Sequence, residues 1–272
     1  MFRAFKRVFI WLGLMAEQAT ETDSINQAVI ERGIRDAKGK ADKAHYANGQ
    51  LAGQIALLKD QLKRQERQRD ELQGLLQVAA AANDEANGAH YAEELATVES
   101  DRNRLADAVR YGTAALDMRR ELLGPQHPST LVAQANLANF LDTMGRLAES
   151  EALLRDVVAK SAGQPAQTMA LSQPQLKANL ASTLRKRGKL TEAEATVRDG
   201  LAAVTKDVSP FTEASQLAVL GMVLIDQRRD AEAAGVLQRV IDIRGERLRP
   251  DHPSIVVVRK ELDAVKRRLA SK

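Results

Sequence analysis

From about Ser24 to Ala82 the apolar positions keep a seven-residue repeat. They are Ile30, Ile34, Ala37, Ala41, Ala44, Leu51, Ile55, Leu58, Leu62, Leu72, Leu76 and Ala79, with polar Asn48, Gln65 and Arg69 in register. The steps alternate between four and three residues, so on a helix these positions form the narrow seam of a coiled coil rather than the wider apolar stripe of a globular helix. A helix with such a seam needs another helix to cover it. About 58 helical residues, rising 1.5 Å each, would extend roughly 85 Å, which points to an elongated molecule.

The rest of the composition agrees with helices throughout. Aromatic residues make up 3% of the 272, and the first of the seven prolines stands at position 125. Few β-branched or aromatic clusters alternate with period two, so the expected fold class is all-α. The formal charge is a modest +4, with unmixed basic residues only at the ends: Arg3, Lys6 and Arg7, then Lys266, Arg267, Arg268 and Lys272. That balance does not argue for nucleic acid. The absence of cysteine excludes disulfides and thiolate metal sites.

Residues 1–22 form a segment of their own. Phe2, Phe5, Phe9, Leu12 and Met15 recur at helical spacing beside Arg3, Lys6 and Arg7, with Trp11 inside the run. This is the pattern of an amphipathic helix lying in a membrane interface, where anionic lipid attracts the cations and Trp sits among the headgroups. Phe2, Arg3, Phe5, Lys6, Arg7, Phe9, Trp11 and Leu12 are the expected membrane-binding set. The uncharged run from Val8 to Ala16 is too short to span a bilayer. A basic start, an apolar run and the small Ala16 also fit a cleaved signal peptide, so that alternative stays open.

Residues 23–123 read as a coiled-coil hairpin. Ser24 and Gln27 have capping-box spacing at the start of the long helix, and AAAANDEANGAH (79–90) breaks it with turn-forming residues. The heptad then resumes at Tyr91, Leu95, Val98, Leu105, Val109 and Leu116, the arm of an antiparallel hairpin. The start MFRAFKRVFIWLG, the long helix from Ile25 and the tip VAAAANDEANGAHYAEEL resemble the phage-shock-protein A family of the bacterial ESCRT-III-like superfamily. The resemblance covers about the first 120 residues. It implies an amphipathic helix that binds stressed or curved membrane, and hairpins that assemble into rods or rings.

Residues 124–272 carry repeats. LANFLDTMGRLAESEALLRDVV (137–158), LASTLRKRGKLTEAEATVRDGL (180–201) and LGMVLIDQRRDAEAAGVLQRVI (220–241) align without gaps, 43 and 40 residues apart. Each has a Leu followed by a small residue (Ala138, Ala181, Gly221), a turn at Gly145, Gly188 or Arg228, and a Glu in a second helix (Glu149, Glu192, Glu232). Paired helices with small residues at their crossing stack into a solenoid, closed by a polar helix over 254–269. The pattern resembles tetratricopeptide repeats, and the loops LGPQHPST and LRPDHPSI resemble the kinesin-light-chain subtype. The same ruler laid upstream puts Leu95 and Ala96 on the Leu-small positions and Asn103 on the turn. Residues 86–122 therefore read either as one heptad arm or as a degenerate first repeat.

Chemistry is harder to find. The histidines, at 45, 90, 127 and 252, are scattered, and no carboxylates form a catalytic constellation. No enzyme activity, metal or cofactor is expected. In repeats of this kind the first helices line a groove, which places Asn136, Asn139, Asn179, Ser182, Arg185 and Lys186 there as a peptide-binding set. Asn can clamp a peptide backbone, and the two cations would favour acidic ligands. Val219 and Met222 replace the polar type in the last repeat.

These readings combine into a membrane-associated, self-assembling scaffold at the cytoplasmic face of the plasma membrane, binding anionic lipid, copies of itself and a protein partner. The alternative is a soluble or periplasmic tetratricopeptide adaptor whose coiled coil dimerises it.

Overall fold

Left-handed residues punctuate the chain at near-regular intervals: Asn103 (φ 60°), Gly145 (φ 85°), Gly188 (φ 76°) and Arg228 (φ 63°). In the computed structural model, which describes residues 48–162, 172–204 and 210–271, each of them ends one helix and turns the chain into the next. The amide after each turn residue donates to the carbonyl five residues earlier: Arg104 to Glu99, Arg146 to Leu141, Lys189 to Leu184 and Arg229 to Leu224, at 2.8–2.9 Å. This is the Schellman closure, which satisfies a carbonyl that the helix end would otherwise orphan. Gly and Asn accept the left-handed backbone readily. Arg228 does so at a cost of about 1–2 kcal/mol.

The described helices are α1 (Asn48–Ala81), α2 (Glu85–Asp101), α3 (Leu105–Leu123), α4 (Pro128–Thr143), α5 (Leu147–Ser161), α6 (Gln173–Lys186), α7 (Leu190–Ala202), α8 (Pro210–Asp226), α9 (Asp230–Gly245) and α10 (Pro253–Ala270). Residues 86–122, which heptad and repeat read differently, are two helices meeting at Asn103. The amphipathic segment 1–22 and the seam upstream of Asn48 lie outside the described residues.

The chain divides into two units, one up to Met118 and the other from Arg119. In the first, α1 turns through Asn83 (φ 53°) and packs against α2, whose start is capped by the Asp84 carboxylate accepting from Asn87 N at 3.1 Å. Of the seam, Leu72, Leu76 and Ala79 are buried, as are Ala89, Ala92 and Ala96 on α2. Small residues on the facing helix let the two backbones come close. Gln73 Nε2 donates to the Tyr111 hydroxyl at 3.3 Å, tying α1 to α3. Beside them Glu99 is fully buried, with Arg104 Nε 3.3 Å away. Burial pushes its carboxyl up from the ordinary value, against the opposing pull of Arg104 and Arg102.

In the second unit the pairs α4/α5, α6/α7 and α8/α9 stack, and α10 closes the last of them. Ala138, Ala181 and Gly221 are buried at the crossings, opposite the equivalent Leu154, Val197 and Leu237. Polar clamps join one pair to the next. Glu151 on α5 accepts from Arg155 on its own helix and from Arg187 and Lys189 at the α6–α7 turn. Glu194 on α7 repeats the arrangement with Arg198, and with Gln227 and Arg229 at the α8–α9 turn. Asp230, at the start of α9, is held by Arg268 of α10 at 2.7 Å.

The two HP loops act alike. His127 Nδ1 accepts from Ser129 N (3.2 Å) and His252 Nδ1 from Ser254 N (3.3 Å), so each imidazole caps the helix whose first turn carries the following proline. The loops therefore put α10 in the register of α4. Where α4 buries Gln134, Ala135, Ala138 and Leu141, α10 exposes Arg259, Lys260, Asp263 and Lys266, the polar outer face expected of a terminal helix.

Candidate peptide-binding groove

The first helices of successive pairs lie side by side, and between α6, α8 and α10 a cleft of about 490 Å³ opens over Leu237 of α9. Helical spacing explains which residues reach it. Ser182 and Arg185 on α6, Ala218 and Met222 on α8, and Val257 and Glu261 on α10 stand three or four apart, on one face of their helices. Val219, Pro253 and Val258 make the lining predominantly apolar. Val257 is 63% exposed, an uncovered β-branched side chain at the mouth.

Charge is placed at the rim. Arg244 enters from α9, its Nη1 donating to the Ser254 carbonyl at 2.7 Å, and burial pushes its guanidinium down from the ordinary value. Arg185 Nη1 donates to Asp226 of α8 at 2.8 Å. Glu261 supplies a carboxylate on the far side. The cleft thus offers an apolar floor with fixed polar groups at its margin, an arrangement suited to an apolar side chain on an extended segment.

Of the six residues expected from the sequence, the cleft brings together Ser182 and Arg185. Asn179 is half-buried one turn earlier on α6, its Oδ1 accepting from Gln175 Nε2 at 3.2 Å. Asn136 is half-buried and Asn139 exposed on α4, away from the cleft. Lys186 is exposed and its Nζ is bound to Asp142, whose other oxygen takes the Thr183 hydroxyl at 2.9 Å. Arg185 and Lys186 each hold a carboxylate from a neighbouring first helix, so an acidic ligand would have to displace Asp226 or Asp142. The eight expected membrane-binding residues, Phe2 to Leu12, lie outside the described residues. Arg244, Val257 and Glu261 were not expected. The signal for them was present: the run VVV (256–258) in a helix otherwise rich in charge, following a loop that matches the one before α4.

Among the described residues no group of three or more His, Asp or Glu is placed to hold a metal, and no helix is long and apolar enough to cross a membrane.

Residues 84–160 and 214–254 each match a tetratricopeptide repeat model. No curated protein matches the chain. Among solved structures it is similar to nearly identical TPR-like repeats ascribed to a kinesin light chain of Podosopora anserina, at 20% identity and TM-score 0.57, over 72% of this chain and 94% of that one. A point variant of those repeats matches at 23% identity and TM-score 0.56, over 67% and 87%. BtubC (BKLC) from P. vanneervenii matches at 18% identity and TM-score 0.58, over 82% and 92%. At these identities the likeness is one of fold. The helix pairs within residues 84–160 and 214–254 are tetratricopeptide repeats, an architecture for protein–protein interaction.

Proposed function

We propose that the chain is an adaptor that grips an extended segment of a protein partner in the cleft between α6, α8 and α10. The observation that carries this is the cleft itself: half-buried Val219 and Met222 on α8 and exposed Val257 on α10 line it, with Arg244 fixed at the edge. The segment it fits carries an apolar side chain for the floor and a carbonyl or carboxylate for Arg244. Peptides selected by display on the full chain should share such an apolar residue. A Met222→Glu/Val257→Glu variant, which puts two charges on the floor, should weaken those peptides by at least about 30-fold while the helical circular dichroism is retained. Selected peptides that bind the variant equally well would place the partner elsewhere.

The second element of the proposal is where the adaptor works. The amphipathic pattern of residues 2–12, and the resemblance of the start MFRAFKRVFIWLG and the long helix after it to phage-shock-protein A, support attachment to the anionic inner face of the plasma membrane, as part of a self-assembling scaffold. Liposomes containing phosphatidylglycerol should co-sediment the full chain, and removal of residues 1–22 should abolish this. Binding that survives the deletion rejects the membrane role, and a native amino terminus beginning just after Ala16 identifies the segment as a signal peptide instead.

A further inference from the structure

α1 carries more seam than α2 covers. α1 has 34 residues and α2 has 17, so at 1.5 Å per residue they extend ~51 Å and ~26 Å. Because only a tight turn at Asn83 joins them, α2 runs back along about half of α1. The burial follows this boundary. Leu72, Leu76 and Ala79 are 5–6% exposed, Leu62 is half-buried, and Leu58 on the same seam is 64% exposed. A Leu held at that exposure on a heptad register kept throughout, with polar Asn48, Gln65 and Arg69 at some of its positions, is an unfinished coiled coil, not the surface of a globular helix.

The identity of the missing strand is written in the heptad positions. Asn48, Ile55 and Leu62 occupy position a, and Leu51 and Leu58 occupy position d. Ile at a with Leu at d favours two parallel strands, and a single Asn at a fixes their register. The flanking positions allow self-pairing. In a parallel pair the g residue of one helix meets the e residue of the next heptad on the other, which sets Gln54 against Lys59 and Gln61 against Glu66. Neither pairing opposes like charges. The sequence repeats the same four-and-three spacing upstream, at Ile30, Ile34, Ala37, Ala41 and Ala44.

We infer that the overhanging part of α1, from about Asn48 to Leu62, pairs in parallel and in register with the same segment of a second copy. The homodimer would contain two copies of the peptide cleft, independently of what that cleft binds.

The chain contains no cysteine, so one introduced thiol reports the register without interference. In Leu58→Cys the two sulfurs face each other in a parallel, in-register pair, and mild oxidation should yield a disulfide-linked dimer on a non-reducing gel. By sedimentation equilibrium the wild-type chain should have twice the 29.8 kDa of one copy. Leu58→Arg should raise the dimer dissociation constant at least about 100-fold. Leu58 is exposed within one copy, so this variant should keep the wild-type circular dichroism. A wild-type mass of one copy at micromolar concentration, a dimer that withstands Leu58→Arg, or a Leu58→Cys dimer that does not cross-link would each overturn the inference.

Discussion

Lowering the pH from about 5 to about 3 should loosen the stack of α4 to α9, and Glu151 and Glu194 should account for most of the loss. Burial raises the carboxyl of Glu151, but hydrogen bonds from Lys189, Arg155 and Arg187 outweigh it and hold the group at about 2. Burial likewise raises Glu194, and Gln227, Arg198 and Arg229 bring it to about 2. A carboxylate whose folded value lies below its ordinary 4.5 contributes stability that is fully present above that value. The contribution is lost as pH falls from 4.5 towards 2. The full shift corresponds to on the order of 3 kcal/mol per glutamate. Because Arg187, Lys189 and Arg229 are themselves 31–40% exposed, solvent screening reduces this to about 1–2 kcal/mol each. Glu99 works in the opposite sense, since its raised carboxyl takes up a proton more readily when folded, but it belongs to the other unit. A Glu151→Gln/Glu194→Gln variant should be less stable than wild type by about 2–4 kcal/mol at pH 7. Its urea midpoint should change little between pH 5 and 3, where that of the wild type falls. Parallel profiles for the two proteins would show that other carboxylates govern the acid response.

The repeats were legible because each of their demands falls on one residue type at a fixed spacing. The left-handed turns at Gly145 and Gly188 and the small residues Ala138, Ala181 and Gly221 are steric requirements, and a sequence shows these directly. Asn103 was legible for the same reason, but the upstream stretch satisfies two patterns at once. Leu95 serves both the heptad and the repeat, and only the backbone at Asn103 decides that the chain turns there. The groove was harder. Reading polarity along α6 picked out Arg185 and Lys186 but could not reveal that Asp226 and Asp142, about 40 residues away, neutralise them. Nor does any periodicity within one helix show that Arg244, on a second helix, reaches between two first helices. Side chains that act across elements depend on the packing angle, which composition does not encode. The glutamate clamps escaped for that reason too, since Glu151 and Glu194 look like ordinary helix-surface residues until their partners from the next turn are placed.

Replacing Leu237 by Ala should destabilise the second unit by about 3–4 kcal/mol, and adding Gly221→Ala to it should cost nothing further. Leu237 is 1% exposed and sits among Leu224, Val240 and Leu262, so its removal leaves a cavity in a core that α8, α9 and α10 share. Gly221 faces the same spot from α8, where a Cβ would stand 2.5 Å from Leu237 Cδ2 and 3.0 Å from Cγ. Gly221→Ala alone gains about 1 kcal/mol of helix propensity but must push a buried leucine off its rotamer, for a net loss of about 1–2 kcal/mol. In the double variant the new methyl group enters space that the leucine has vacated. The clash disappears, part of the cavity is filled, and the propensity gain is realised. Urea unfolding of the wild type, the two single variants and the double should therefore give a coupling of at least about 1–2 kcal/mol in the compensating direction. Additive losses would mean that the two helices separate to accommodate the methyl group. The close crossing at Gly221 would then be a consequence of its small residue and not a requirement of the stack.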